Sequence, residues 1–334
     1  MCIKSITDWN LEKKKMKFLA ILAGFFAFFV TLTSSEDVKK TLKCPGMYCG
    51  RVMNETGGYS PCGACPRGYR PDEASICQLC EGSPTFYDWL YLGFMAMLVP
   101  ALHWFFIDFT NKRKLRSLMF LHGSALVESA LAGICTLLVM EPYGKLDVRS
   151  CDVKDLADWY TMMYNPRPGY TTTLHCTQEI VYPLYTMVMV YYAFCLVIMM
   201  LARPLLSAKL GYQGTKSIYA ALYFFPVLVV LQAIFGGVLY YFFPYIIIVV
   251  SVITIAGHFA LYQDQSMRYL LVETFKRPRN LMILLSHWLL HAYGILSITQ
   301  MKNPTFHGPL ICLVPFPALF YVLTVKFTDP KQFT

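Results

Sequence analysis

Charged residues are scarce in this chain of 334 residues: Asp, Glu, Lys and Arg make up 15% of it, whereas 56% of the residues are hydrophobic. An ordinary globular domain has about 25% charged residues, so this balance is not that of a water-soluble fold. A soluble helix also has a polar face at 3.6-residue spacing, and the stretch from Tyr245 to Ile255 shows no such face. These deficits predict that much of the chain faces lipid.

Recognisable catalytic motifs are also missing. The chain has no Gly-rich phosphate loop, no Ser nucleophile motif and no pair of carboxylates inside an apolar segment. We therefore predict no catalytic residue, no cofactor-binding residue and no cofactor, and we do not expect an enzyme. A small-solute transporter is one alternative, because prolines such as Pro226 and Pro244 interrupt several apolar segments. The internal repeat that many transporters have is absent, however.

Seven long apolar runs dominate the chain between Asp88 and Lys326. Each has about 16–24 residues, close to the ~20 that a helix needs to cross ~30 Å of hydrocarbon. The predicted fold class is all-α, a polytopic membrane bundle of seven transmembrane helices in residues 85–326. The predicted helices are Leu90–Phe109, Leu118–Met140, Ile180–Leu201, Ile218–Tyr241, Pro244–Tyr262, Leu281–Ile298 and Leu310–Val325.

Clusters of basic residues follow the first, third and fifth of these runs, and they predict the orientation of the bundle. By the positive-inside rule, these segments and the short tail (327–334) face the cytosol, and the N-terminal region faces the lumen. The net charge of +9 is explained in this way, so we predict membrane lipid and not nucleic acid as a partner. The basic residues are Lys112, Arg113, Lys114 and Arg116, then Arg203, Lys209 and Lys216, then Arg268, Lys276, Arg277 and Arg279, and finally Lys326 and Lys331.

Residues 1–35 have the composition of a targeting segment. A basic stretch ends at Lys17, an apolar run from Phe18 to Val30 follows, and small residues end the segment at Ser35. This order predicts a signal peptide cleaved after Ser35 or an uncleaved signal anchor, which would add an eighth helix. Both interpretations place residue 36 onward in the lumen.

Residues 36–84 form a polar segment with six of the twelve cysteines, which we call the cysteine module. A segment of about fifty residues has little apolar core, and small secreted modules of this kind are stabilised by disulfides. Two CxxC pairs could bind zinc instead, but an oxidising lumen favours disulfides. The sequence does not choose among the possible pairings. The six residues are Cys44, Cys49, Cys62, Cys65, Cys77 and Cys80.

Residues 141–179, which we call the second loop, form the longest connection in the predicted bundle. The loop contains Cys151 and Cys176, and we predict that these two residues form a disulfide. Its aromatic residues are expected to lie as a lid at the membrane interface, where amphipathic rings are enriched. They are Trp159, Tyr160, Tyr164 and Tyr170.

One glycosylation sequon, Asn54-Glu55-Thr56, lies in the cysteine module. The other N-x-T match, at Asn303, contains proline and is disqualified. Because the module is expected in the lumen, where glycans are transferred, we predict that Asn54 carries an N-linked glycan.

Two histidines of the sixth run, His287 and His291, stand at i and i+4 on one helix face, a spacing that suits two ligands of one metal. With His122, Ser124 and Glu128 they resemble the zinc site of the seven-helix ceramidases, which makes an intramembrane zinc-dependent hydrolase the second alternative. His122 and Glu128 are six residues apart and point to different helix faces, so we do not predict a metal site. Three further polar residues near helix ends are assigned to the membrane interface: His103, Asp108 and His258.

Aromatic-rich strings along the chain carry a specific resemblance. With the six module cysteines, they make the region from about Cys44 to Pro330 resemble the Jun N-terminal kinase-associated membrane protein (JAMP) family. The strings are Asp88–Leu98, Asp158–Pro166, Tyr182–Tyr185, Tyr191–Cys195, Lys216–Pro226, Ser286–Gly294 and Pro317–Tyr321.

This resemblance implies a multi-pass protein of the endoplasmic-reticulum membrane with no chemistry of its own. It implies a scaffold that gathers proteasomes, a RING-type ubiquitin ligase and other components of ER-associated degradation, and that modulates Jun N-terminal kinase (JNK) signalling in the unfolded protein response. The chain departs from familiar vertebrate members of the family in its leader before Ser35 and in its short tail after Pro330.

The stretch from Lys112 to Leu118 places basic residues before spaced leucines, as kinase docking sites do. A basic cluster directly after a membrane helix is the ordinary orientation signal, however. The implied kinase contact is therefore not assigned to any residue.

Overall fold

Helices make up most of what the computed structural model describes, which is residues 43–54, 57–110, 115–164, 176, 178–210, 214–262 and 264–328. The predicted leader (1–35) and the residues from 329 onward lie outside these ranges. The α-helices are α1 (Phe86–Thr110), α2 (Leu115–Val139), α3 (Leu184–Lys209), α4 (Thr215–Ala260), α5 (Met267–Lys276), α6 (Pro278–Thr299), α7 (Pro304–His307) and α8 (Phe316–Thr328). The 3₁₀ helices are η1 (Leu156–Trp159), η2 (Thr161–Tyr164) and η3 (Gly308–Leu313).

Six helical stretches in the described residues are long and apolar enough to cross a membrane. The prediction of a helical membrane protein is thereby confirmed, but the number of helices differs from the expected seven. The stretches are α1, Leu118–Val139 of α2, α3, α4, α6 and Pro304–Val325, which combines α7, η3 and α8.

The difference comes from α4, which covers both the fourth and the fifth predicted helix. It is 46 residues long, or about 69 Å at 1.5 Å per residue. The predicted boundary between Tyr241 and Pro244 is absent, because the helix continues through Pro244.

Tyrosines from neighbouring helices explain how the helices tolerate internal prolines. Proline has no N–H, so the carbonyl four residues before it loses its helical donor. The Tyr87 hydroxyl donates to the carbonyl of Tyr240, four residues before Pro244, at 2.7 Å. In α1, the Tyr191 hydroxyl donates to the carbonyl of Ala96, four residues before Pro100, at 3.0 Å. In a lipid environment such a carbonyl needs a partner from within the protein, and the sequence does not reveal that partner.

Two hydrophobic cores lie along α4. The first is formed with α1 and α3 and includes Tyr91, Tyr192 and Phe243, all buried. The second joins the end of α4 to α5, α6 and α8, through Phe259 and Leu270 among others. The outer faces of α4 remain apolar, as in Val227, Val230 and Ile253, which are 57%, 52% and 64% exposed. Exposed aliphatic side chains on this scale are typical of surfaces that face lipid.

The cysteine module contains two short antiparallel pairs of strands. β1 (Cys49–Gly50) pairs with β2 (Gly63–Ala64), and β3 (Tyr69–Pro71) pairs with β4 (Cys77–Leu79). The Cys65–Cys77 disulfide packs directly on Gly50, where a Cβ atom would lie 2.6 Å and 2.7 Å from the two sulfurs. Side chains other than hydrogen therefore do not fit at this position.

Candidate functional site: the junction of the cysteine module and the bundle

Four disulfides shape the cysteine module, and two of them bond it to the second loop. The prediction of a Cys151–Cys176 disulfide is wrong, because each of these residues bonds to a cysteine of the module. The sequence could not show this pairing, since it depends on the module lying against the loop. All six module cysteines are in disulfides, which leaves none of their thiols for zinc. The pairs are Cys44–Cys62, Cys49–Cys176, Cys65–Cys77 and Cys80–Cys151.

Asp158 of η1 is the polar centre of this junction. Its fully buried carboxylate accepts hydrogen bonds from the Tyr48 hydroxyl at 2.8 Å and from the Arg70 guanidinium at 3.0 Å and 3.1 Å. The backbone N–H groups of Lys154 and Asp155 donate to it at 2.9 Å and 3.3 Å. A buried carboxylate is tolerated only when its charge is paired and its oxygens are hydrogen-bonded. Because Tyr48 and Arg70 belong to the module, these bonds fix the module on the second loop.

The environment of the junction also raises the pKa of two of its side chains, Tyr48 and Glu179. Burial raises the pKa of the Tyr48 hydroxyl, and its hydrogen bond to the Asp158 carboxylate raises that pKa further. Tyr48 therefore remains a protonated donor at physiological pH. Burial likewise raises the pKa of Glu179, while hydrogen bonds from Thr186 act in the opposite direction.

Trp159, next to Asp158, carries the contact into the helical bundle. A Cβ atom at Gly237 of α4 would lie 2.6 Å from the Cβ of Trp159, so only glycine fits beneath the indole. The indole packs against Tyr91 and Tyr240, with ring centroids 5.7 Å and 5.2 Å away. Tyr240 in turn donates a hydrogen bond of 2.7 Å to Asp88 in the first turn of α1. The junction is thus continuous from the module to the bundle.

The aromatic lid expected in the second loop is only partly present. Trp159 is 8% exposed and lies inside the bundle, whereas Tyr164 is 47% exposed and contacts Tyr48 edge to face. Tyr170 lies outside the described residues. A tryptophan that fills a glycine-lined gap cannot be distinguished from an interfacial one by its position in the sequence.

A second polar group lies inside the bundle and links three helices. Arg203 of α3 is completely buried, and its guanidinium donates to the Glu128 carboxylate of α2 at 2.5 Å and 3.4 Å. Its Nη1 atom lies 2.9 Å from Nδ1 of His103 in α1. Arginine can only donate, so His103 Nδ1 is the acceptor and the ring proton is on Nε2. The charges satisfy one another, so this group holds the helices together and offers no exposed reactive atom.

One sequence prediction is wrong at this group: Arg203 is predicted in the loop after the third helix, but it lies inside α3 and is 0% exposed. His103 is 1% exposed beside Arg203, and its predicted position at the membrane interface stays a prediction. Arg203 stands six residues before Lys209 and looks like part of the orientation signal. The signal that could have identified it was Glu128, a carboxylate in an apolar run that needed a cationic partner.

His287 and His291 lie on α6 and both contact α4, so they share a helix face, as their spacing predicts. Nδ1 of His291 lies 2.9 Å from the Ser251 hydroxyl, and Nδ1 of His287 lies 3.5 Å from the Thr254 hydroxyl. Hydrogen bonds of this kind between helices are common in membrane proteins.

The other candidates for a zinc site pair with different residues. His122 Nε2 lies 3.2 Å from Asp108 Oδ1, and Glu128 forms an ion pair with Arg203. Across the described part of the chain, no group of three or more His, Cys, Asp or Glu residues is gathered to hold a metal ion. His287 and His291 are therefore not gathered there with a third residue of these types into a metal site.

Asn54, the predicted glycan site, is exposed in the cysteine module, where its N–H donates to the Gly58 carbonyl at 2.8 Å. Its sequon partners Glu55 and Thr56 lie outside the described residues, and so does most of the basic stretch after α1. The glycan remains a prediction, and the kinase contact remains unassigned to any residue.

Comparison with known proteins gives a consistent set of relatives. The sequence model of the family described as JNK1/MAPK8-associated membrane protein matches residues 44–330 of this chain. The JNK1/MAPK8-associated membrane proteins of Mus musculus and Homo sapiens are 54% and 53% identical over 298 residues, which cover 86% of this chain and 94% of each relative. A homolog from Caenorhabditis elegans is 31% identical over 300 residues, covering 89% of both chains. No solved structure matches.

Proposed function

This chain is a member of the JNK1/MAPK8-associated membrane protein family, and from that premise we propose that it is a scaffold of the endoplasmic-reticulum membrane. In this role it brings proteasomes, a RING-type ubiquitin ligase and other degradation components to the membrane, where they clear misfolded proteins. It also associates with Jun N-terminal kinase and modulates stress-kinase signalling in the unfolded protein response. The observation that carries the proposal is the family match over nearly the whole described chain.

The short connections between the helices support a scaffold over an enzyme. Four residues separate α1 from α2, and five separate α3 from α4. Independent domains usually need about fifty residues or more, so these connections are too short to fold as enzymatic domains. They can still present short peptide-like contacts to large partners.

The orientation proposed for this scaffold follows from charge. We place the cysteine module in the lumen, where its disulfides are stable, and the basic segments in the cytosol. Lys216 in the first turn of α4 and Arg268 in the first turn of α5 then lie on the same side of the membrane. A helix of about 69 Å is more than twice the ~30 Å of hydrocarbon. With both ends of α4 on one side, the chain would have to reverse near Pro244 in the bilayer, which differs from the continuous α4 of the structure; the C-terminus would then be cytosolic.

Turnover of a misfolded membrane substrate tests the scaffold function. Depletion of this protein should lengthen the substrate's half-life, and re-expression of the wild type should restore it. The matched variant is the double substitution His287→Ala and His291→Ala. It removes the one pair of histidines in the sequence that is spaced i and i+4, and it leaves the connecting segments intact.

Rescue by the folded double variant is expected from a scaffold whose histidines pack between helices. A normal half-life after full depletion would overturn the scaffold proposal. An effect of depletion that the folded double variant fails to reverse would favour the zinc hydrolase instead.

A further inference from the structure

An apolar cavity lies between α5, α6 and α8. Its volume is about 280 Å³. An apolar protein cavity of about 150 Å³ stays dry and can hold a benzene molecule, so this one has room for a longer piece of hydrocarbon. Apart from Thr274, its lining side chains are aliphatic or aromatic, and the Thr274 hydroxyl already donates to the Leu270 carbonyl at 2.7 Å. The cavity therefore suits hydrocarbon better than water or a polar ligand.

The lining of this cavity extends to the outer surface of the helices. Leu271 and Phe275 of α5 and Leu319 of α8 all line it, and all three side chains are exposed, Phe275 by 62%. Trp288 of α6 also lines it and is partly buried, and Ala318 of α8 contributes buried wall. A hydrocarbon chain in the surrounding bilayer thus meets the cavity at the surface of the protein.

A row of basic side chains runs beside the cavity on α5. Arg268 and Lys276 stand four residues before and four residues after Val272, so these three exposed residues share a helix face. Leu271 and Phe275, which line the cavity, are three and seven residues after Arg268 and form the neighbouring row. Each end of the exposed apolar surface of α5 therefore carries a positive charge.

The charges of this row are available to a ligand. In the described part of the chain, neither Arg268 nor Lys276 forms an ion pair, whereas Arg277 pairs with Glu273. Residues 264–279 include four basic and two acidic residues, so the segment is net positive. An anion next to hydrocarbon is the chemistry that complements an unpaired basic row beside an apolar cavity.

The connections of α5 place it where membrane helices end. Six residues separate it from α4, and Arg277 alone separates it from α6. Both neighbours are long and apolar enough to cross a membrane. A short helix with an apolar face and flanking Lys or Arg is typical of helices that lie in the membrane interface. This position favours a lipid over an acidic protein segment, because headgroups and acyl chains are both within reach there.

We propose that this surface binds an anionic phospholipid. Arg268 and Lys276 attract its headgroup, and one acyl chain enters the cavity beside Trp288. Anionic lipids are found in cytosolic leaflets, where basic side chains attract them, and the orientation proposed above places α5 on that side. Lipid binding does not depend on the recruitment of degradation components, so either proposal can fail without the other.

Quenching of Trp288 by brominated lipid tests the inference, because bromine on an acyl chain quenches indole fluorescence only at close range. The full-length protein is placed in phosphatidylcholine nanodiscs that contain a minor fraction of brominated phosphatidylserine or the same fraction of brominated phosphatidylcholine. The signal of Trp288 is the difference between wild type and Trp288→Phe. We expect phosphatidylserine to quench this signal several-fold more strongly. Equal quenching by the two lipids would overturn the proposal and leave the basic row to an acidic protein segment.

The double variant Arg268→Gln, Lys276→Gln removes both charges of the row. One basic group near a membrane surface changes lipid affinity about fivefold, so the preference for phosphatidylserine should fall by on the order of tenfold. Lys302→Gln is the matched control, because Lys302 is also exposed but lies beyond the C-terminal end of α6, whereas α5 precedes its N-terminal end. Each variant is measured with and without Trp288→Phe. A folded double variant that keeps the preference, or an equal loss in the control, would overturn the proposal.

Ala318→Leu tests the position of the acyl chain, because it enlarges a buried side chain of the lining and leaves the basic row unchanged. Quenching of Trp288 by either brominated lipid should fall. Unchanged quenching in the folded variant would show that the chain does not enter the cavity. Total fluorescence of the wild type covers the case in which the variants fail to fold: phosphatidylserine should quench it more than phosphatidylcholine does, and equal quenching would again overturn the proposal.

Discussion

Replacing Arg203 by methionine should strongly destabilise the bundle. The guanidinium is completely buried and forms two hydrogen bonds to Glu128, so its removal leaves a buried carboxylate without a charge partner. Breaking a buried ion pair in this way costs roughly 3–5 kcal/mol. Domains are typically stable by about 5–15 kcal/mol, so the loss is a large fraction of the total. Arg268→Met, at an exposed position of α5, should change stability by less than about 0.5 kcal/mol.

The double variant Arg203→Met, Glu128→Leu should recover most of the loss, because no buried charge is then left unpaired. Unfolding free energies of the wild type, Arg203→Met, Glu128→Leu and the double variant, measured in the same micelles by tryptophan fluorescence, complete the double-mutant cycle. Destabilisation by Arg203→Met that is no larger than that of Arg268→Met would refute the burial of Arg203. A double variant as unstable as the single one would refute the direct pairing with Glu128.

Three further predictions concern the helices and the cysteine module. Tyr87→Phe should lower the free energy of unfolding by about 1–3 kcal/mol, because the Tyr240 carbonyl exposed by Pro244 loses its donor; an unchanged unfolding curve would contradict this. Backbone hydrogen bonds lower the pKa of the Asp72 carboxyl group in the folded protein. Its contribution to folding stability is therefore present above the unfolded pKa of about 3.9 and is lost as pH falls through the lower folded pKa. In a pH series of melting temperatures, Asp72→Asn should show less acid destabilisation than wild type. Glycosidase should shift the mobility of wild type but not of Asn54→Gln, and no shift in wild type would exclude the glycan.

The membrane helices were predictable because the signal for each one is local. About twenty consecutive apolar residues define a membrane helix without reference to the rest of the chain. The continuity of α4 was not predictable in the same way. Pro244 follows a pair of phenylalanines, and a proline at this position predicts the end of a helix. Tyr87, more than 150 positions away, supplies the hydrogen bond to the Tyr240 carbonyl that the proline cannot donate.

The candidate site depends on contacts between distant residues, and these were mostly missed. The disulfide candidates were identified by their residue type and expected compartment. Their pairing depends on how the module packs on the second loop, which brings together Cys49 and Cys176 over a separation of 127 positions. Asp158, the centre of the junction, carried no recognisable signal, because its partners Tyr48 and Arg70 are also far away in sequence.

Proteasome content of isolated microsomes tests the scaffold account most directly. Microsomes from cells depleted of this protein should carry fewer proteasomes than those from control cells, and re-expression of the wild type should restore the amount. The total cellular proteasome level should not change, since recruitment and not synthesis is affected. Unchanged proteasome content on the membranes after complete depletion would contradict the account.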